Sequence, residues 1–262
     1  MTFLSVLWAR RSLLFGFIKR DIKMRYTGTL VGGLWAIGQP VMLLAIYAFV
    51  FRRVFRVELP DLGANSFVAF VACALWPWMA LQESVQRATQ AIASNADLVR
   101  KIRFPYEFLV LAGVSSSFAI HFTGFCGVLM ALSAWGEPFH FVALPTVLLA
   151  WLSMFMLALA LALVTSSLQV ILKDVDHLMG PAFMLLFYAT PILYPLALVP
   201  EVVRPWMEIN PLLHVIEPLR AALLRGEGAV VSLLPLLGLS VLLVLAARAL
   251  FVRLSAYFED FL

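Results

Sequence analysis

Ser115, within the run Gly113-Val114-Ser115-Ser116-Ser117, precedes His121 in one apolar stretch, and the two are the residue types of a nucleophile and its general base. Such a dyad acts only in a set geometry, and small residues at a helix interface explain the serines without chemistry. No ionisable partner for His121 is evident nearby in the sequence, so a hydrogen-bonded packing role is expected and no catalytic residue is assigned. Cys73 and Cys126 have no C-x-x-C or C-x-x-H spacing, so packing is expected and no metal ligand is assigned. The chain holds no Gly-Lys pair and hence no phosphate-cradling P-loop, so any ATP-driven work requires a second polypeptide.

Other residue sets suit binding. Arg20, Lys23 and Arg25 form a cationic cluster that could hold a lipid diphosphate at the cytoplasmic leaflet; plain electrostatic anchoring is the alternative. Trp35, Tyr47, Trp76, Trp78, Phe187, Tyr188 and Tyr194 supply rings on which sugar faces stack and slide. The alternative for these is an interfacial aromatic belt or lipid contact. Leu98, Val99 and Ile102, flanked by Asp97, Arg100, Lys101 and Arg103, describe a short helix with an apolar knob and a charged collar, suited to docking into a partner. Ser94 or Asn95 is placed to cap it, and Pro105 closes the segment.

These sets must be positioned by membrane helices. The chain is 63% hydrophobic and 13% charged, where soluble domains carry about 25% charged residues. Leu30 to Phe51 contains no formal charge, and at about 1.5 Å per residue it is long enough to cross a hydrocarbon core of about 30 Å. Further spans are expected over 66–81, 108–135, 141–169, 178–198 and 230–252. Pro40 should kink the first, and Pro181, Pro191 and Pro195 should bend or break the fifth. Residues 1–28 suit an amphipathic helix at the membrane surface, through Leu13, Leu14, Phe17, Ile18 and Ile22. Arg10, Arg11, Lys19 and Arg20 interrupt this stretch, so a secretory signal peptide is not expected.

Six spans put both termini on one side. Most of the 19 Lys and Arg residues fall on that side, which the positive-inside rule places in the cytoplasm; Arg52, Arg53 and Arg56 oppose this and are outnumbered. The net charge of +4 therefore reads as a topology signal, and no nucleic-acid partner is expected.

Several motifs, in order along nearly the whole chain, resemble the permease subunit of type-2 ABC exporters for polysaccharides, nearest the O-antigen and teichoic-acid branch. Arg20-Asp21-Ile22-Lys23-Met24-Arg25-Tyr26 with Leu30, Gly32, Trp35 and Pro40 is similar to the N-terminal segment of that family. Asn95 to Pro105 resembles its cytoplasmic coupling segment, and Lys173-Asp174-Val175-Asp176-His177 its second cytoplasmic contact, with Lys173 where arginine is more usual. Ala189 to Pro195 resembles the exit motif of span 5, and Asn210-Pro211-Leu212-Leu213-His214 through Glu217 and Arg220 the external gate helices. Phe258 to Leu262 resembles the cytoplasmic tail.

The resemblance implies an all-α integral membrane protein forming a single transmembrane domain over 1–262. It would have six spans, an N-terminal interface helix, cytoplasmic coupling helices and external re-entrant gate helices between spans 5 and 6. It implies a transport subunit rather than an enzyme, in the bacterial inner membrane, paired with a second copy of itself. Two copies of a separate cytoplasmic ABC ATPase would grip Asp97 to Arg103 with Lys173 and Asp174. The chain itself would carry no cofactor, with ATP and Mg on the ATPase. The substrate would be a polyprenyl-diphosphate-linked glycan. A permease of the same fold for a drug, haem or simple lipid is the alternative, and an intramembrane hydrolase using Ser115 and His121 a remote one.

Overall fold

The computed structural model describes residues 8–28, 34–56, 67–102, 104–228 and 230–262. Leu30, Gly32 and Gly33 at the expected start of the first span, Ser66 at the start of the second, and Arg103 lie outside them. The described residues are helical and contain no strand. In chain order the helices are α1 (Arg11–Tyr26), α2 (Trp35–Phe49), α3 (Phe67–Thr89), α4 (Ala96–Lys101), α5 (Glu107–Ala134) and α6 (Leu144–Ile171). There follow α7 (Val175–Tyr188), α8 (Arg204–Glu208), α9 (Leu213–Arg225), α10 (Val230–Ser255) and α11 (Phe258–Phe261).

Five helical stretches among the described residues are long and apolar enough to cross a membrane: Trp35–Val54, Phe67–Thr89, Glu107–Ala134, Phe141–Ile171 and Val230–Ser255. They differ sharply in what surrounds them. The apolar window of α3 is 78% buried within the chain, whereas that of α2 is 11% buried and that of α10 28%. α3 is therefore the central post, and α2 is a wall with one side free.

Small residues allow the central helices to approach. On α6, Ala158, Ala162 and Ser166 are fully buried at spacings of four, a stripe of small residues that brings backbones close. On α3, Ala69, Ala80, Ser84 and Ala88 are likewise fully buried. Gly124 of α5 accepts the indole of Trp76 so closely that a Cβ there would meet Nε1 at 2.9 Å. Buried hydroxyls return their bonds to the helix backbone, as Ser84 does to the Leu81 carbonyl. Thr89 also donates to Thr165 at 2.8 Å, which ties α3 to α6.

The stretch 178–198, expected to be a span, ends its helix early. α7 stops at Tyr188 after 14 residues, about 21 Å of rise. Pro191 and Pro195 explain the stop, since each disfavours helical backbone at the residue before it and lacks a backbone donor. The second span instead runs through Pro77 as far as Thr89, well past the expected 81. The expected 108–135, 141–169 and 230–252 agree within a few residues with the helices observed there.

Candidate functional site

Three adjoining cavities form a groove: α1, α2, α3 and α5 line the first, α2, α3 and α7 the second, and the end of α7 with the segment after it the third. The first, about 300 Å³, is lined by Arg25, Trp35, Gln39, Gln82, Glu83, Gln86 and His121. The second, about 360 Å³, shares Gln39, Met79 and Gln82 with it and adds Tyr47, Trp78, Phe187 and Tyr188. The third, about 720 Å³, shares Tyr188 and continues along Tyr194, Trp206, Asn210 and Pro211. The groove thus changes from amides and charges at one end to aromatic rings in the middle and apolar residues at the other.

The charged end is built by α1, α3 and α5. Arg25 NH1 lies 2.9 Å from Glu83 Oε1, and Arg25 NH2 donates to Ser117 Oγ at 2.7 Å. Glu83 Oε2 lies 2.6 Å from His121 Nε2. His121 was expected to stand without an ionisable partner; a residue on the neighbouring helix supplies one. One turn earlier on α1, Asp21 pairs with Arg87 and is bonded by Ser116. These links explain why Leu14, Phe17, Ile18 and Ile22 pack inward with two charged residues among them. Ser115 is not part of the cluster, because it is Ser116 and Ser117 that face α1.

The cationic cluster is split by this arrangement. Lys23 is exposed. Arg20 donates to Asn95 Oδ1 at 2.7 Å and lies over the Phe17 ring. Arg25 is turned into the bundle, its side chain 7% exposed.

The aromatic residues separate as well. Phe187 stacks with Tyr47 at 6.0 Å between centroids and meets Trp78 at 5.5 Å and Tyr188 at 5.4 Å. Tyr194 donates to the Tyr188 carbonyl. Trp35 stands exposed at the mouth of the first cavity. Trp76 is fully buried against Gly124 and lies on no groove surface.

Beyond α7, the broken backbone is held by two side chains. Asn210 Nδ2 donates to Thr190 Oγ1 at 2.8 Å and to the Ala189 carbonyl, while its Oδ1 accepts from the Leu212 backbone. Arg220, fully buried on α9, donates to the carbonyls of Pro191 and Ile192 at 2.7 Å each and of Phe70 at 3.2 Å. Glu217 pairs with it, and the Phe70 ring lies 3.5 Å from its guanidinium carbon. Carbonyls left without helical partners at Pro191 are thereby satisfied. Pro211 lies at the start of this segment, and His214 Nε2 is 2.7 Å from the Glu208 carbonyl. α9 ends at Gly226 in a left-handed cap, φ 71°.

The segment carrying α4 differs in detail from the expected knob. Val99 is buried in the core, Leu98 is half-buried, and Ile102, beyond the last helical residue, is 55% exposed. Asp97, Arg100 and Lys101 are exposed. Asn95 makes no side-chain cap to α4; its amide donates to the Ala91 carbonyl and its oxygen accepts from Arg20. Lys173 and Asp174 are exposed in the α6–α7 turn, which Gln169 clamps by bonding the Lys173 carbonyl and the Asp176 amide.

Sequence reading did not single out Gln39, Gln82 and Gln86. The available signal was polar residues inside apolar helices, which mark functional sites in membranes; treating Gln82 as the edge of a span hid it.

The profile of a family described as "ABC-2 type transporter" matches residues 12–224. The chain is 29% identical to the O-antigen export system permease protein RfbA of Myxococcus xanthus, over 94% of this chain and 93% of that protein. It is 27% identical to the RfbA permease of Klebsiella pneumoniae over 95% of each. It is 24% identical to the polysialic acid transport protein KpsM of Escherichia coli over 79% of each.

Proposed function

Since the chain belongs to the ABC-2 type transporter family as its membrane permease, a transport component and not a catalyst, we propose that it exports a polyprenyl-diphosphate-linked glycan across the bacterial inner membrane. It is a multi-pass membrane protein, and the family implies an ABC ATPase as partner. The observation that carries the substrate reading is the groove itself, which joins amide side chains, beside a mutually matched Arg25–Glu83 pair, to stacked rings. Similarity to O-antigen export permeases over most of the chain supports the same substrate class.

In this reading residues 1–262 form one domain, and α7 with the turn that follows it is the sixth crossing. α1 lies at the cytoplasmic interface, and both termini are cytoplasmic. Two copies pair across the free sides of α2 and α7, closing two grooves into a channel surrounded by membrane lipid. Two ATPase subunits, which carry the ATP and Mg, dock at Asp97 to Arg103 with Lys173 and Asp174. Lys23 and Arg20 receive the lipid diphosphate, with Arg25 beneath them, and Asn210 to Arg220 form the outer gate.

Deletion of this chain in its host tests the proposal. The expected result is loss of surface glycan, with lipid-linked glycan accumulating on the inner leaflet. An unchanged surface glycan with no trapped intermediate overturns it and favours a drug, haem or simple lipid as substrate.

A further inference from the structure

We infer that the first cavity of the groove is a subsite for an uncharged, hydroxyl-rich sugar residue, and not for the diphosphate of the lipid carrier. The inference rests on the glycan-export reading.

The cavity's single guanidinium is already matched. Arg25 faces the Glu83 carboxylate at 2.9 Å and donates to Ser117 at 2.7 Å. A diphosphate entering here would have to displace one carboxylate and then lie beside it, so like charges would oppose binding. What remains for a ligand is neutral. Gln39 and Gln86 present primary amides, each with two donors and an acceptor, and hydroxyl groups satisfy both functions together. Gln82 lines the same cavity and accepts from the Trp78 indole at 3.1 Å, which uses its oxygen and leaves its amide nitrogen to donate.

Trp35, 51% exposed at the cavity edge, offers an indole face on which the apolar face of a sugar ring can lie. The volume of about 300 Å³ is at the small end of ligand pockets, fitting one or two sugar rings and not a folded chain. Gln39, Met79 and Gln82 line both this cavity and the aromatic section, so a residue held here lies next to the rings beyond.

The test uses the full-length permease in lipid nanodiscs and saturation-transfer NMR. The probes are glycan released by mild acid from the host's own envelope, which carries no diphosphate, and inorganic pyrophosphate. The inference predicts saturation transfer to the released glycan, weakened about tenfold or more in Gln39→Leu/Gln86→Leu as two amide contacts are lost. It also predicts no competition by pyrophosphate. Neither glutamine makes a side-chain hydrogen bond among the described residues, so the variant should remain folded, which a monodisperse gel-filtration profile checks. Absence of transfer in the wild type, equal transfer in the variant, or displacement by pyrophosphate overturns the inference. Restoration of surface glycan by the wild-type gene in the deletion host keeps the export reading intact under any of these results. Failure of the deletion to affect surface glycan removes that reading instead.

Discussion

His121 Nε2 lies 2.6 Å from Glu83 Oε2, and the other oxygen of the same carboxylate faces Arg25 at 2.9 Å. One carboxylate thus links α1, α3 and α5. Replacing Glu83 by leucine leaves Arg25, whose side chain is 7% exposed, as a buried charge without its counter-ion. Because Glu83 is itself 39% exposed, the expected loss is about 1–3 kcal/mol rather than the larger figure for a fully buried pair. Thermal unfolding of the purified permease checks this. The double variant Arg25→Met/Glu83→Leu should recover part of the loss, since it removes both charges together.

Arg220 is predicted to resist conservative replacement. Its planar fork reaches the carbonyls of Phe70, Pro191 and Ile192 from one buried position. A lysine cannot span them, and each abandoned carbonyl costs about 1–3 kcal/mol. Arg220→Lys should therefore open the turn after α7. Limited proteolysis between Tyr188 and Val199 in the purified protein should rise against wild type, and an unchanged cleavage rate would show that other groups hold the turn.

Surface docking should depend on Ile102 more than on its neighbours. Ile102 is 55% exposed, whereas Val99 is 1% exposed. Ile102→Asp should lower co-purification of the ATPase about tenfold without changing permease yield, as loss of an apolar anchor does. Val99→Asp should lower yield of the permease itself. Equal effects on both readouts would remove the distinction.

The last residues should stiffen this same segment. Phe258, fully buried, stacks near Tyr106 at 6.2 Å and meets Phe251 at 5.4 Å, and the Tyr106 hydroxyl lies 3.3 Å from Glu259 and 3.4 Å from the Val99 carbonyl. Phe104 continues the ring contacts from Tyr106 to Phe17 on α1. Phe258→Ser should speed amide exchange at residues 98–102 while leaving α10 protected. No change there would mean that the tail is independent of the segment.

Gly226→Ala should be destabilising by about 1–2 kcal/mol, since φ is 71° and an L side chain resists that conformation. The added Cβ would also meet His140 Cγ at 3.1 Å, on the turn whose backbone amide donates to the Leu223 carbonyl at 2.9 Å. A lowered melting temperature in detergent is the expected reading.

The long apolar helices were legible because composition alone separates them from polar loops: the expected 108–135 and 230–252 correspond to Glu107–Ala134 and Val230–Ser255. The end of α7 was half legible. Pro191 and Pro195 announced a break, but which side chains would receive the freed carbonyls depends on Asn210 and Arg220, distant in sequence. The Glu83–His121 pair was illegible because the two sit on different helices and only packing brings them together. The expected knob failed at Val99, where a short helix turns that position toward the core. Among the aromatics, composition could not tell Trp76, shut against Gly124, from Trp78, which is only 2% exposed but edges the groove, because nearness in sequence says little about direction around a helix.

The central claim is that glycan passes along the groove between α2 and α7. A photo-crosslinking residue placed at Tyr47, in the groove, and at Leu242, exposed on α10 away from it, tests this in cells exporting their own glycan. The account predicts a glycan adduct at position 47, dependent on a functional ATPase, and none at position 242. Equal adducts at both positions, or none at 47 while export continues, would contradict it.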